Sequence, residues 1–365
     1  MRIFLNGYYG FSNLGDEALL WTLLRALLAQ SGPSTEFLIR SAQPLPLPPE
    51  LPAACRLVGN SLAALVEAAH GADLTVFGGG SQFQDHGLIS NLRYFIKPLV
   101  VTLAARRLTA IGVSIGPLGT WPGRMLAHGI LSRMDSILTR DVASFRCAEE
   151  LGCPVLNASD ICFADYLQLP AAAKFEREPC LGVSLLPRAL LLDKNQSADR
   201  SWLTVWADAM MKLAESNPQF TFLGAPFQRG VDNAVIDQAF MRIPTKRRRL
   251  ATLDQGPEQA LVELNACSHV VAMRFHALVF ATLLGKPTLI LDYHPKVRLL
   301  AEELGYSPHA ILSPSQWHDP DKVGAGLAGL INEPEKYLPT VDVRGVRKHA
   351  RRQLDMALSK CVGKA

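Results

Sequence analysis

Asn13, Asp16 and Glu17 stand in NGYYGFSNLGDEALL (residues 6–20), where a short apolar run passes through a glycine-punctuated loop into a leucine-rich helix. Glycines let backbone amides approach a ligand, and the carboxylates behind them can hold hydroxyls or move protons. A second such place is FGGGSQFQD (residues 77–85), where Gly79 and Gly80 follow an apolar strand and Ser81, Gln84 and Asp85 add polar groups to bare backbone. Two readings of it are open: a glycine turn packed for steric reasons, or a ligand-facing turn.

Cations come from other strand ends. In MRFHALVFATLLGKP (residues 273–287), Arg274 and His276 sit where an apolar strand passes into a helix, a place at which backbone amides and the helix dipole favour an anion. DYHPKV (residues 292–297) supplies Lys296 beside Pro295, either a phosphate contact or a solvated surface lysine. Arg140 and Asp141 close the strand SILT, so Arg140 can fork onto a carboxylate or phosphate or else pair internally with Asp141. His294 lacks the spacing to share a metal with His276, so no structural metal is expected. GVSIGPL (residues 112–118) reads as a tight turn past another strand. KRRR (residues 246–249) is either a solvated face or a contact with an anionic acceptor or a membrane surface.

These residues need strand ends to hold them. Apolar runs at 3–5, 36–39, 74–77, 110–115, 136–139 and 155–157 alternate with helical patterns, which predicts a parallel sheet covered on both faces. The rhythm breaks after Tyr166 and resumes with strands at 180–185, 220–223, 269–272 and 288–291. The expected organisation is an α/β chain with an N-terminal domain over 1–170, a linker over 171–179 and a C-terminal domain over 180–365. Two Rossmann-like domains facing across a cleft would place a ligand between them, near the C-terminal ends of their strands.

Length and composition agree with this expectation. A chain of 365 residues exceeds the size at which a single core stops growing, and its hydrophobic content of 48% supports large buried sheets. A net charge of +4 is too mild to indicate nucleic acid. Seven cysteines without a CxxC pair fit a reducing compartment. The N-terminus enters the first strand without a leader pattern, and no apolar run reaches membrane-spanning length, so a soluble cytoplasmic protein is expected.

In order, GYYGFSNLGDEALL, FGGGSQFQD, GVSIGPL, TRDVASFRCAEELG, SDICF, GVSL, MRFHALVFATLLGKP and DYHPKV resemble the polysaccharide pyruvyl transferase family over roughly the first 300 residues. The resemblance implies a glycosyltransferase-B-like fold and transfer of a pyruvyl group from phosphoenolpyruvate to a sugar as a ketal. Phosphoenolpyruvate would be a co-substrate, with no cofactor. By motif match, Arg140, His276 and Lys296, with Arg274 alongside, would bind the donor, the N-terminal domain being the acceptor side and the C-terminal domain the donor side. Asn13, Asp16, Glu17, Gly79, Gly80, Gln84 and Asp85 would face the acceptor, a glycan or lipid-linked sugar. His276, as imidazolium, or a neighbouring carboxylic acid would give the proton, and Asp16 or Glu17 would be the base. A lipid-linked acceptor would put the protein at the inner face of the membrane. A nucleotide-sugar glycosyltransferase and a non-catalytic carbohydrate-binding protein are the competing readings; the oligomeric state stays open.

Overall fold

A computed structural model describes residues 1–85, 88–157, 159–171, 179–187 and 201–363. The chain divides into two compact units: Met1–Phe11, Asp16–Leu167 and Arg344–Ala365 form the first, Ser12–Gly15 and Gln168–Val343 the second.

The first unit carries a seven-stranded, wholly parallel sheet. Its strands are β1 (Arg2–Asn6), β2 (Glu36–Arg40), β3 (Cys55–Val58), β4 (Leu74–Phe83), β5 (Leu108–Ile115), β6 (Ser136–Thr139) and β7 (Val155–Asn157). Their order is β3-β2-β1-β4-β5-β6-β7, so the chain reverses its direction of travel between β1 and β4. Every residue of β5 is buried, as a strand covered on both faces requires. The covering helices are α1 (Leu14–Ser31), α2 (Leu62–Gly71), α3 (Leu88–Ala104), α4 (Trp121–Leu131) and α5 (Val142–Glu150). Phe4, Phe77, Phe83, Phe95 and Ile137 lie in the core between sheet and helices. Burying such a side chain contributes about 1.5–3 kcal/mol.

The second unit repeats the pattern with β8 (Cys180–Ser184), β9 (Thr221–Gly224), β10 (Arg248–Leu250), β11 (His269–Ala272), β12 (Thr288–Leu291) and β13 (Ile311–Leu312), in the order β10-β9-β8-β11-β12-β13. Its helices are α6 (Ser201–Ser216), α7 (Asn233–Ala239), α8 (Pro257–Asn265), α9 (Phe275–Leu283), α10 (Pro295–Glu303) and α11 (Pro320–Asn332).

The structure departs from the expected domains in two places. The last helix, α12 (Val343–Val362), belongs almost wholly to the first unit rather than to a C-terminal domain over 180–365. It buries Ala350, Leu354, Ala357, Leu358 and Cys361, its Asp355 accepts a 2.8 Å hydrogen bond from Tyr166, and Arg351 lies 3.9 Å over the Tyr166 ring. Ser12–Gly15 joins the second unit, where the Leu14 amide donates to the Phe227 carbonyl at 2.8 Å and the Arg229 amide to that of Ser12 at 3.0 Å. Of the expected linker, residues 172–178 lie outside the described residues.

Candidate functional site

In the first unit the triple glycine, expected as a turn past the strand, lies inside β4, which runs on to Phe83 through a register shift between Ser81 and Phe83. Each glycine admits a neighbour. A Cβ at Gly78 would lie 2.5 Å from the Tyr9 hydroxyl, which itself donates to the Gly78 carbonyl at 2.6 Å. At Gly79, with φ of +64°, it would lie 2.8 Å from Leu19 Cβ on α1. At Gly80, with φ of +74°, it would lie 3.1 Å from Asp16 Oδ1. Gly78 and Gly79 therefore serve packing, while Gly80 leaves room for the carboxylate.

Asp16 and Glu17 occupy the first turn of α1, where the helix dipole favours negative charge. Glu17 is only 1% exposed, whereas Asp16 is half-buried. The field of Asp16 reaches Tyr8 and Tyr94. Burial is the main push that raises both phenols above their usual range; Asp16 adds to it on Tyr8 against the opposing pull of Arg40, and Tyr8 and then Asp16 add to it on Tyr94. Tyr94 donates to the Ser81 carbonyl at 3.1 Å. Tyr8 and Arg40 were not anticipated from the sequence; the aromatic pair between glycines in GYYG was the available signal.

Asp85 is committed to the chain around it. Its Oδ2 accepts from the Thr120 amide at 2.6 Å, just before α4, and its own amide donates to the Pro117 carbonyl at 3.0 Å. Neighbouring Gln84 is half-buried.

Arg140 is 4% exposed at the end of β6. Its Nε donates to Ser114 Oγ at 2.6 Å and its Nη2 to Ser81 Oγ at 3.4 Å, with Asp141 and Asp160 carboxylates at 3.9 and 3.8 Å. Asp141 also caps α5 by accepting from the Ser144 amide at 2.7 Å. Of the two possibilities for Arg140, the internal pair is present, and it includes Asp160 from the SDICF motif as well.

In the second unit the sheet reverses between β8 and β11, and α9 begins just past β11. Arg274 is the N-cap residue of α9. Its fork closes on Asp232: Nε donates to Oδ2 at 3.0 Å and Nη2 to Oδ1, while Nη2 also reaches Gln228 Oε1 at 3.1 Å. Asp232 is fully buried, and desolvation raises its affinity for a proton against the pull of Arg274. Arg274, expected at the donor, is thus turned into an ion pair that fixes the loop after β9.

His276, 9% exposed, sits in the first turn of α9 with its ring edge-on to Phe275 at 5.1 Å. Lys296 Nζ lies 5.9 Å over the same phenyl ring. His276 and Lys296 therefore flank one aromatic side chain, at the starts of α9 and α10, after the adjacent parallel strands β11 and β12. His294 caps α10, its Nδ1 accepting from the Lys296 amide at 3.2 Å, and Pro295 opens that helix. Asn13 Oδ1 accepts from the Gly15 amide at 3.1 Å, and Asn13 bridges Gln228. A Cβ at Gly15 would overlap His276 Nδ1, so only glycine leaves the imidazole its place.

The basic run is partly structural. Arg247 donates to the carbonyls of Phe220, Ala214 and Asn217 at 2.6–2.9 Å around the end of α6, and Arg249 pairs with Glu263 at 2.7 Å. Among the described residues, no helix is long and apolar enough to cross a membrane.

Comparison with solved structures gives the fold. The chain is similar to UDP-GlcNAc 2-epimerase of Methanocaldococcus jannaschii, with a TM-score of 0.62 at 10% identity, covering 98% of this chain and 99% of that one. It is similar to UDP-GlcNAc 2-epimerase of Neisseria meningitidis bound to UDP-GlcNAc, with a TM-score of 0.59 at 10% identity and full coverage of both chains. It is also similar to Anabaena HepE in complex with UDP and glucose, with a TM-score of 0.55 at 14% identity, covering 100% and 97%. These likenesses establish a glycosyltransferase-B-like fold of two Rossmann-like domains. No curated protein matches the sequence. The profile that does match, over residues 13–295, runs from the Asn13 motif to the proline that opens α10, and on it this chain belongs to the polysaccharide pyruvyl transferase family.

Proposed function

We propose that this chain moves a pyruvyl group from phosphoenolpyruvate to a sugar of a polysaccharide or its precursor, as a ketal, with release of phosphate. The observation that carries this is the placement of His276 and Lys296 about Phe275 at two neighbouring helix starts. Helix N-termini and an ammonium group suit a donor bearing both carboxylate and phosphate. An imidazolium beside them can give a proton to carbon.

In this scheme His276 protonates the methylene carbon of phosphoenolpyruvate and leaves an oxocarbenium-like centre at C2. A sugar hydroxyl attacks that centre and its proton passes to Asp16 or Glu17. The C2–O bond to phosphate then breaks, and a second hydroxyl closes the ketal as its proton leaves with the phosphate. One donor and two hydroxyls thus give a methyl ketal carboxylate and inorganic phosphate. Lys296 stabilises the phosphate as negative charge gathers on it. Arg140 and Arg274, each engaged with aspartates, hold the strand ends in position. Gly80 keeps space beside Asp16 for the acceptor hydroxyl, with Gly79, Gln84 and Asp85 shaping the end of β4 and the chain after it, and Asn13 the loop before α1.

The test is to incubate the protein with phosphoenolpyruvate and free or lipid-linked glycans, following phosphate release and ketal formation by mass. Sugar-dependent phosphate release is expected, falling about 10²- to 10⁴-fold in His276→Ala. Full turnover in His276→Ala would remove its acid role. Release of UDP from a sugar nucleotide without phosphoenolpyruvate would assign the chain to nucleotide-sugar transfer instead. Glycan binding with no turnover, unchanged in His276→Ala, would make it a carbohydrate-binding protein.

A further inference from the structure

The reversal point between β1 and β4 is where an open parallel sheet receives ligands, over the C-terminal ends of its strands. Side chains that the proposed chemistry leaves unused gather there. Tyr8 and Phe11, in the loop after β1, stack face to face with centroids 3.9 Å apart and planes 8° from parallel, yet remain 51% and 36% exposed. A flat, rigid apolar surface in solvent is unusual, and it matches the C–H face of a sugar ring.

The shelf is fixed in place. The Tyr9 carbonyl accepts from the Ala42 amide at 3.2 Å, which pins the loop to the segment after β2. Gly10, with φ of +76°, lies so close to that segment that a Cβ would come within 2.8 Å of the Ala42 and Gln43 amide nitrogens.

Arg40, the last residue of β2, stands beside the shelf and differs from the other arginines at these strand ends. Arg140 and Arg274 each meet aspartate carboxylates. The Arg40 guanidinium instead donates from Nε to Asn60 Oδ1 at 2.6 Å and from Nη1 to Asn6 Oδ1 at 3.0 Å, two neutral acceptors. It is a largely desolvated cation positioned by groups that do not cancel its charge, and burial lowers its affinity for its proton. Lys97 on α3 adds a second positive charge within reach of its field. An uncompensated, oriented guanidinium suits a carboxylate or phosphate.

We infer that the Tyr8–Phe11 shelf and Arg40 form a subsite for an anionic sugar, its ring on the aromatic face and its carboxylate or phosphate on the guanidinium. This rests on the proposed function, for which it names the class of acceptor: a sugar that already carries a negative group.

Titration calorimetry on the full chain without donor tests this, using methyl glucuronide, galactose 1-phosphate, neutral methyl galactoside and inorganic phosphate as probes. At least one charged sugar should bind about tenfold tighter than the neutral one and than inorganic phosphate, and which one does so identifies the anion. Arg40→Gln should abolish that margin while changing the neutral sugar less than about twofold, and Tyr8→Leu should weaken charged and neutral sugars alike by about fivefold. Equal affinity for charged and neutral sugars, no sugar binding, inorganic phosphate binding as tightly as the tighter charged sugar, or an unchanged margin in folded Arg40→Gln would each overturn the inference. If Arg40→Gln does not fold, Tyr8→Leu decides, since unaltered sugar affinity there also overturns it. Because no donor is present, a failure of phosphoenolpyruvate turnover would strike the proposed reaction and leave this result standing.

Discussion

The two sheets end in rims built on the same plan and furnished differently. At the first, the strand ends are crowded by the protein itself: Tyr9 and Leu19 fill the space beside Gly78 and Gly79, and Arg140 is enclosed by Ser114, Asp141 and Asp160. At the second, Arg274 is closed onto Asp232, while His276 and Lys296 stand at helix starts about a shared phenyl ring. The contrast shows that an arginine at a strand end is not by itself a ligand group. Its counter-charge decides. Where an aspartate satisfies the fork, the arginine braces the loops, and where only neutral amides hold it, as at Arg40, its charge is left for something else.

Substituting Asp232 by Ala probes this division most severely. It would strand the Arg274 guanidinium and should cost about 3–5 kcal/mol, read as a large drop in melting temperature. A loss below about 1 kcal/mol would mean that Arg274 is a ligand group rather than a brace. Next in size, Gly79→Ala forces a side chain into the left-handed region and against Leu19, which should destabilise by about 2 kcal/mol in denaturant titrations. A neutral outcome would show that this part of β4 yields to its neighbours and is not a packed frame.

The smallest effect concerns acid. Burial, with Lys286 adding repulsion, lowers the His269 imidazole from its ordinary value to about 4. Between about 4 and about 6.5 the unfolded chain therefore binds more protons at this residue than the folded one, so stability is present above that window and is lost as pH falls through it. His269→Gln should flatten the decline in melting temperature across that window. An identical pH profile in the variant would remove His269 as its source.

Much of this was legible in the chain because continuous apolar runs are a local property. The strands at 3–5, 136–139, 269–272 and 288–291 all lie within or coincide with observed strands. The glycines were legible too, but not their setting: FGGGSQF reads as a turn because glycine is rare in strands, and only the contacts of Tyr9, Leu19 and Asp16 explain three in succession inside β4. The partner of Arg274 lies 42 positions away at Asp232, and no spacing rule connects them. Arg247 looked like one of four solvated charges, yet it binds three carbonyls around the end of α6. Tyr8 and Arg40 are not legible in the sequence, because a tyrosine beside a glycine and an arginine ending a strand are each ordinary, and only tertiary structure places them together.

One consequence of the α12 return concerns the order of manufacture. Residues 344–363 supply buried side chains to the unit that holds the N-terminus, so that unit is unfinished while the ribosome is still making everything between. The middle of the chain, 168–343, carries its whole sheet and can close first. The first unit is therefore sealed only once α12 has been made, after the unit that interrupts it.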